Sequence, residues 1–155
     1  MRELDLSIPS YTLAEVAEDT GVLVGTIRGW AQRGELVVGE GDITTVVAGA
    51  TRRVTGRGAI AVAMANALMH PEHRRAAFLA AKAFAYTGDA NRGIAEAFRS
   101  GFTFAAATGE DKFLITNDFD ELRSFIVSAS GRPITVVDVE PIYRTVIDNL
   151  KKRHR

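Results

Sequence analysis

Tyr11-Thr-Leu-Ala-Glu-Val-Ala-Glu-Asp-Thr-Gly-Val-Leu-Val-Gly-Thr-Ile-Arg-Gly-Trp-Ala-Gln-Arg-Gly-Glu-Leu36 decides the fold of the amino-terminal third. Thr12 followed three residues later by Glu15 is a capping box, in which each side chain satisfies a backbone donor left free at a helix start. The first helix therefore begins near Leu13, and Leu13, Val16 and Ala17 recur at the i, i+3 and i+4 spacing of an apolar face. Gly21 supplies a position that can turn sharply. A second helix from about Val24 to Arg33 carries Ile27 and Trp30 inward. Two short helices around a glycine turn form the helix-turn-helix pattern.

Downstream, Gly34-Glu-Leu-Val-Val-Gly-Glu-Gly-Asp42 and Ile43-Thr-Thr-Val-Val-Ala-Gly-Ala-Thr-Arg-Arg-Val-Thr55 are rich in β-branched residues punctuated by glycines. A hairpin with its tip near Ala48 to Thr51 follows, leaving Arg52 and Arg53 on the returning strand as a wing beside the second helix. Side chains alternate faces along a strand, so one of those two arginines points away from the other, and Arg57 can replace either. Thr55 can cap a helix from about Gly58 to Met69 with Ile60, Met64, Ala67 and Leu68 on its apolar face.

The second half changes character. Pro71 suits a helix start, and His73 to Tyr86 is an Ala-rich helix packing Phe78, Leu79, Ala81 and Ala85, closed by Gly88. A shorter helix covers Asn91 to Arg99. Strands at Phe102 to Ala107 and Lys112 to Thr116 flank a Thr-Gly-Glu-Asp turn. Asp118 with Glu121 forms a second capping box, starting a helix with Phe119, Leu122, Phe125 and Ile126 on one side. Ile134 to Val139 reads as a buried strand, and Pro141 opens a terminal helix with Ile142, Val146, Ile147 and Leu150 apolar. The expected class is α+β: a winged helix-turn-helix over residues 1–70, then a small α+β domain over 71–155 that serves oligomerisation or partner binding.

Composition narrows the functional classes. The 155 residues are 46% hydrophobic, enough for one substantial core or two small ones. There are no cysteines, which excludes disulfides and thiolate metal sites and fits a reducing cytosol. The amino terminus lacks a basic start followed by an apolar run, and the apolar stretch from Ala59 to Met69 is too short to span a bilayer, so a cytoplasmic, nucleoid-associated protein without membrane contact is expected. Formal net charge is zero, but it is unevenly spread. Residues 1–22 hold one Arg against five acids, whereas Gly25 to Gly58 holds Arg28, Arg33, Arg52, Arg53 and Arg57 against Glu35, Glu40 and Asp42. Positive charge gathers where a phosphate-facing surface belongs.

Tyr11-Thr-Leu-Ala-Glu-Val-Ala17, Thr20-Gly-Val22 and Thr26-Ile-Arg-Gly-Trp30, followed by Arg33-Gly34 and Leu36, resemble the amino-terminal winged helix of the MerR family of transcriptional regulators. The resemblance covers residues 10–69. It implies double-stranded DNA as partner, with Thr26 and Arg28 approaching phosphates and base edges, Trp30 packing or touching the backbone, and Arg52 and Arg53 in the wing holding flanking DNA. Thr12, Gly25, Arg33 and Arg57 complete the candidate DNA-facing set. Leu23 stands where the family commonly has a Ser or Thr cap, Gly25 where it often has a basic residue, and Gly29 where its first aromatic sits. Two glycines cost this helix about 1 kcal/mol each relative to alanine, so it needs tertiary packing.

Each candidate has a plainer reading. Arg28 either offers its planar fork to a phosphate or guanine, or pairs with a nearby acid on the surface. Trp30 either anchors the core between the two helices and the wing or touches phosphate. His70-Pro-Glu-His73 invites a metal reading, but the spacing is poorly matched to the i, i+4 pair of helical sites. Gly39-Glu-Gly41 and Gly56-Arg-Gly58 are turns rather than phosphate loops. The acids Asp118, Asp120 and Glu121 are explained by the helix dipole. No nucleophile sits beside an evident base, so no enzyme, cofactor or metal is expected. The basic tail Lys151-Lys-Arg-His-Arg155 reads as a solvated run or a nonspecific phosphate contact.

The leading expectation is a sequence-specific DNA-binding regulator, bacterial or phage, acting as a homodimer or holding another protein through its carboxyl-terminal domain. The alternative is a protein-interaction adaptor or antitoxin-like factor that keeps the helix-turn-helix shape without reading DNA. Zero net charge and Gly25 favour the latter.

Overall fold

The computed structural model describes residues 6, 9–35, 53–86 and 103–153. Among them the chain is mixed α+β, with six α-helices and two small antiparallel sheets. In chain order these are β1 (Pro9–Thr12), α1 (Leu13–Thr20), α2 (Val24–Gln32), β2 (Arg53–Thr55), α3 (Gly56–Leu68), a 3₁₀ turn (Pro71–His73), α4 (Arg74–Tyr86), β3 (Phe104–Thr108), β4 (Lys112–Thr116), α5 (Phe119–Ser128), β5 (Ile134–Asp138) and α6 (Val139–Arg153). No described helix is long and apolar enough to cross a membrane.

At the first helix the cap and the turn form as expected, but the capping box is one-sided, since among the described residues only the Thr12 side chain bonds across it. Thr12 caps α1 by accepting from the Glu15 amide at 3.2 Å, and Gly21 ends it at φ 75°, a backbone region that L side chains rarely adopt. The strand expected to return from the hairpin has a partner that the sequence reading did not single out. β2 pairs antiparallel with β1, Thr12 opposite Arg53 and Tyr11 opposite Val54, with a register irregularity between Pro9 and Tyr11. Pro9-Ser-Tyr-Thr is too short and too polar to announce itself as a strand. The hairpin tip at 48–51, Gly88 and the helix expected at 91–99 lie outside the described residues.

α3 is the centre of the molecule. Thr55 caps it through the Gly58 amide at 3.1 Å, but it begins two residues before the expected start, and it buries almost its whole circumference rather than one face. A helix apolar all round belongs in the interior, and Gly, Ala and Val let neighbours approach from every side. α4 and α6 pack on it, and α6 also touches α1. One hydrophobic cluster takes in Val16, Ile27 and Trp30 from the amino-terminal helices, Ile60 and Met64 from α3, Phe84 from α4, Ala105 and Ala107 from β3, and Val146 and Leu150 from α6. The core is therefore continuous across residue 70.

β3 is the middle strand of the second sheet, in the order β4-β3-β5, with both neighbours antiparallel to it. Ala105 and Ala107 face α3 and α4, and their small size allows the helices to sit close. On the opposite face Phe104 meets Phe119 of α5, ring centroids 5.2 Å apart. Two expectations fail here. The strand expected to be buried over Ile134 to Val139 is an edge strand ending at Asp138, with Val136 at 37% exposure. An apolar run carries no information about whether a second neighbour strand will cover it. Of the expected α5 face, only Leu122 is buried, while Phe119 and Ile126 stay exposed. The second capping box is also one-sided. Asp118 accepts from the Asp120 and Glu121 amides, but Glu121 turns its carboxylate to the Thr116 hydroxyl at 2.9 Å. α6 starts at Val139 rather than at Pro141, which sits inside its first turn.

Candidate nucleic-acid interface

α2 is held by its inner side. Ile27 is fully buried and Trp30 is 3% exposed, its ring meeting Phe78 of α4 edge-on at a centroid distance of 5.2 Å. Trp30 is thus the core anchor of the two readings open to it, and its indole is not on the outward surface. Thr12 likewise spends its hydroxyl on the α1 cap.

The outer side of α2 is a stripe of Gly25, Arg28, Gly29 and Gln32 at the i, i+3, i+4, i+7 spacing. Gly25, Arg28 and Gln32 are exposed, Thr26 and Gly29 half-buried. A Cβ added at Gly25 would meet nothing within 4 Å, so the backbone at the start of α2 faces open space. Leu23, the N-cap, makes no side-chain cap bond, so the first amides of α2 have no partner from that side chain. From Leu23 to Gly34 there are two arginines and no acid. A positive helix N-terminus, small residues and an exposed guanidinium with no ion-pair partner among the described residues form, on one stripe, a surface that suits anionic oxygens.

Arg33 has a different environment. Its guanidinium lies over Gly29, where a Cβ would come within 3.2 Å of Nη1, and it pairs with Glu35. Glu35 also takes Arg74 of α4, Nη2 to Oε1 at 3.0 Å. The hydrogen bond from Arg74, opposed by partial burial and reinforced by Arg33, holds the Glu35 carboxyl well below the usual range, at about 2. This bridge fastens the end of α2 to α4. Arg33 keeps 57% side-chain exposure, so it remains accessible from outside.

Arg53 is exposed on β2, next to Thr12 at the start of α1, whereas Arg52 lies outside the described residues. Arg57 sits in the first turn of α3; its amide donates to Leu6 O at 3.2 Å, and its Nε is buried with no partner among the described residues. It is turned partly into the protein, away from the role of wing substitute. α1 packs against both α2 and the β1–β2 ribbon and is itself fixed from below by α6: Arg153 binds Asp19 through Nε to Oδ2 at 2.7 Å and Nη2 to Oδ1 at 2.9 Å. The tail reads in sequence as a solvated run or a phosphate contact, but Arg153 is tied down, because the Asp19 carboxylate it meets is only 6% exposed.

Other candidates look structural. His73 is 1% exposed, its Nε2 within 3.1 Å of Leu68 O and 2.9 Å of Thr135 Oγ1, and its ring stacks on His70. Among the described residues no group of three or more His, Asp or Glu side chains is placed to hold a metal. A cleft of about 300 Å³ is lined by Glu72, Gly109, Glu110, Arg132 and Pro133, none of them on α1, α2 or the ribbon. No family model matches this chain, and no curated protein matches it. The MerR-like reading therefore rests on the residues of α1, α2 and the wing.

Proposed function

We propose that the protein is a sequence-specific DNA-binding transcriptional regulator of the winged helix-turn-helix type, with α2 as its reading helix. The observation that carries this is the two-sidedness of α2. Its inner residues Ile27 and Trp30 are locked in the core, while Gly25, Arg28 and Gln32 stand uncovered by the other described residues. A helix fixed from behind and bare in front can enter a major groove without rearrangement. Arg28 then reads a base edge or grips a phosphate, Gly25 allows close backbone approach, Thr26 and Arg33 flank the stripe, and Arg53 with Arg52 holds adjacent backbone.

Selection of bound fragments from genomic DNA, followed by titration of the enriched site, tests this reading. The expected log–log plot of affinity against salt is linear with negative slope, and Arg28→Ala weakens the selected site by about 1–3 kcal/mol. Absence of enrichment, or affinity indifferent to both salt and Arg28→Ala, overturns it and favours the adaptor reading. That second reading has its own support in the exposed Phe119, Ile126 and Val127 of α5.

A further inference from the structure

Among the described residues β5 is an open edge with its hydrogen-bonding groups set for a partner. The Val139 amide donates to Thr103 O at 2.9 Å, so Thr103 and Val139 form a hydrogen-bonded pair at the end of the β3–β5 ladder. Such pairs alternate in an antiparallel ladder. With Phe104 opposite Asp138 and Ala105 opposite Val137, the next bonded pairs are Ala105 with Val137 and Ala107 with Thr135. The main-chain groups of Ile134, Val136 and Asp138 consequently point away from β3. No other described strand lies along that side, and Val136 and Asp138 are exposed.

We propose that this edge pairs with the same edge of a second copy, antiparallel about a two-fold axis through Thr135, giving a continuous six-stranded sheet. The chain's own sequence sets the register. Centring on Thr135 brings Thr135 opposite Thr135, Ile134 opposite Val136 twice, and Arg132 opposite Asp138 twice. Within the strands outward-pointing groups meet only outward-pointing groups; Arg132 lies in the turn just before β5, its amide donating to Ala129 O at 3.1 Å, so it meets Asp138 through its side chain alone. Centring on Val136 also matches the backbone but sets Ile134 against Asp138. Arg132 is exposed with no ion-pair partner among the described residues, and exposed Asp138 accepts only the Glu140 amide. A two-fold interface needs such self-complementarity within one patch. The interface is small, so the dimer belongs to the weak, reversible class.

Sedimentation or light scattering of the full chain at about 100 µM, above the micromolar dissociation constant expected of so small an interface, is the test. The wild type should show a mass about twice the 16.8 kDa of one chain. Arg132→Glu and Asp138→Arg should each weaken dimerisation about tenfold or more, and the double variant should restore it. Circular dichroism shows whether each variant is folded. Because the chain has no cysteine, Thr135→Cys places one thiol per protomer, and oxidation should give a disulfide-linked dimer. A wild type that stays monomeric, or a dimer indifferent to the single reversals or not restored by the double one, overturns the proposal. A dimer through the apolar face of α5 would be of the indifferent kind. None of these readouts involves DNA, so their failure is distinguishable from failure of the reading-helix proposal.

Discussion

Two glycines at helix starts separate folding from function at the scale of single residues. Gly56 opens α3 against the segment before β1: a Cβ there would lie 2.7 Å from Leu6 Cδ2 and 3.2 Å from Leu6 Cα, and the second of these is backbone. Gly25 opens α2 onto nothing. Gly56→Ala should destabilise by about 1–3 kcal/mol, since the packed chain must shift. Gly25→Ala should stabilise by about 0.5–1 kcal/mol, as an unobstructed helical position gains from losing glycine's freedom. If the reading face is where we place it, Gly25→Ala also loses DNA affinity while gaining stability. Thermal unfolding and titration of the two variants check both halves. Sequence could place Trp30 on α2 but not decide its role, because an indole suits a core and a phosphate equally; Phe78, 48 positions away, settles it by packing edge-on against the ring.

The elements are joined by a few polar ties, and one is sensitive to pH. His73 fastens the 3₁₀ turn to β5 through Thr135, and burial pushes its imidazole below the ordinary 6.5, so the folded state favours the neutral ring. Protons bind the unfolded chain first. This contribution is whole above 6.5 and declines as pH falls through that value towards the folded one, a window clear of Glu35, whose tie weakens only below its ordinary 4.5. Unfolding midpoints should therefore fall between about pH 7.5 and 5.5, with a shallower slope in His73→Gln. Equal slopes would remove His73 from the account. Elements marked by local chemistry were legible in the sequence: the caps at Thr12, Thr55 and Asp118 place three helix starts, and the Thr-Gly-Glu-Asp turn places β3 and β4. Those defined by distant neighbours were not. β1 exists because β2 returns to it, β5 is an edge because no other described strand lies beyond it, and α3 is buried all round because α1, α4 and α6 converge on it.

At the scale of the whole molecule, the carboxyl half supports the amino-terminal helices rather than hanging from them. Arg153, at the last helical turn of the chain, clamps Asp19 of α1, Asn149 Nδ2 donates to Asp19 O at 3.1 Å, and α4 receives Trp30 and Glu35 of the α2 region. The candidate face is thereby stiffened from behind and, among the described residues, left open in front; helical spacing points Ile27 and Trp30 inward, whereas the support from α4 and α6 has no signal in the local sequence. β5, at the other end of the chain's packing, offers the edge through which two such faces can be coupled. Amide chemical-shift perturbation of the labelled protein with a selected duplex locates the contact directly. The account predicts shifts concentrated in residues 24–33 and at Arg53, diminished by added salt and by Arg28→Ala. Shifts confined to α5 and β5, with those of α2 unmoved at saturating duplex, would contradict it.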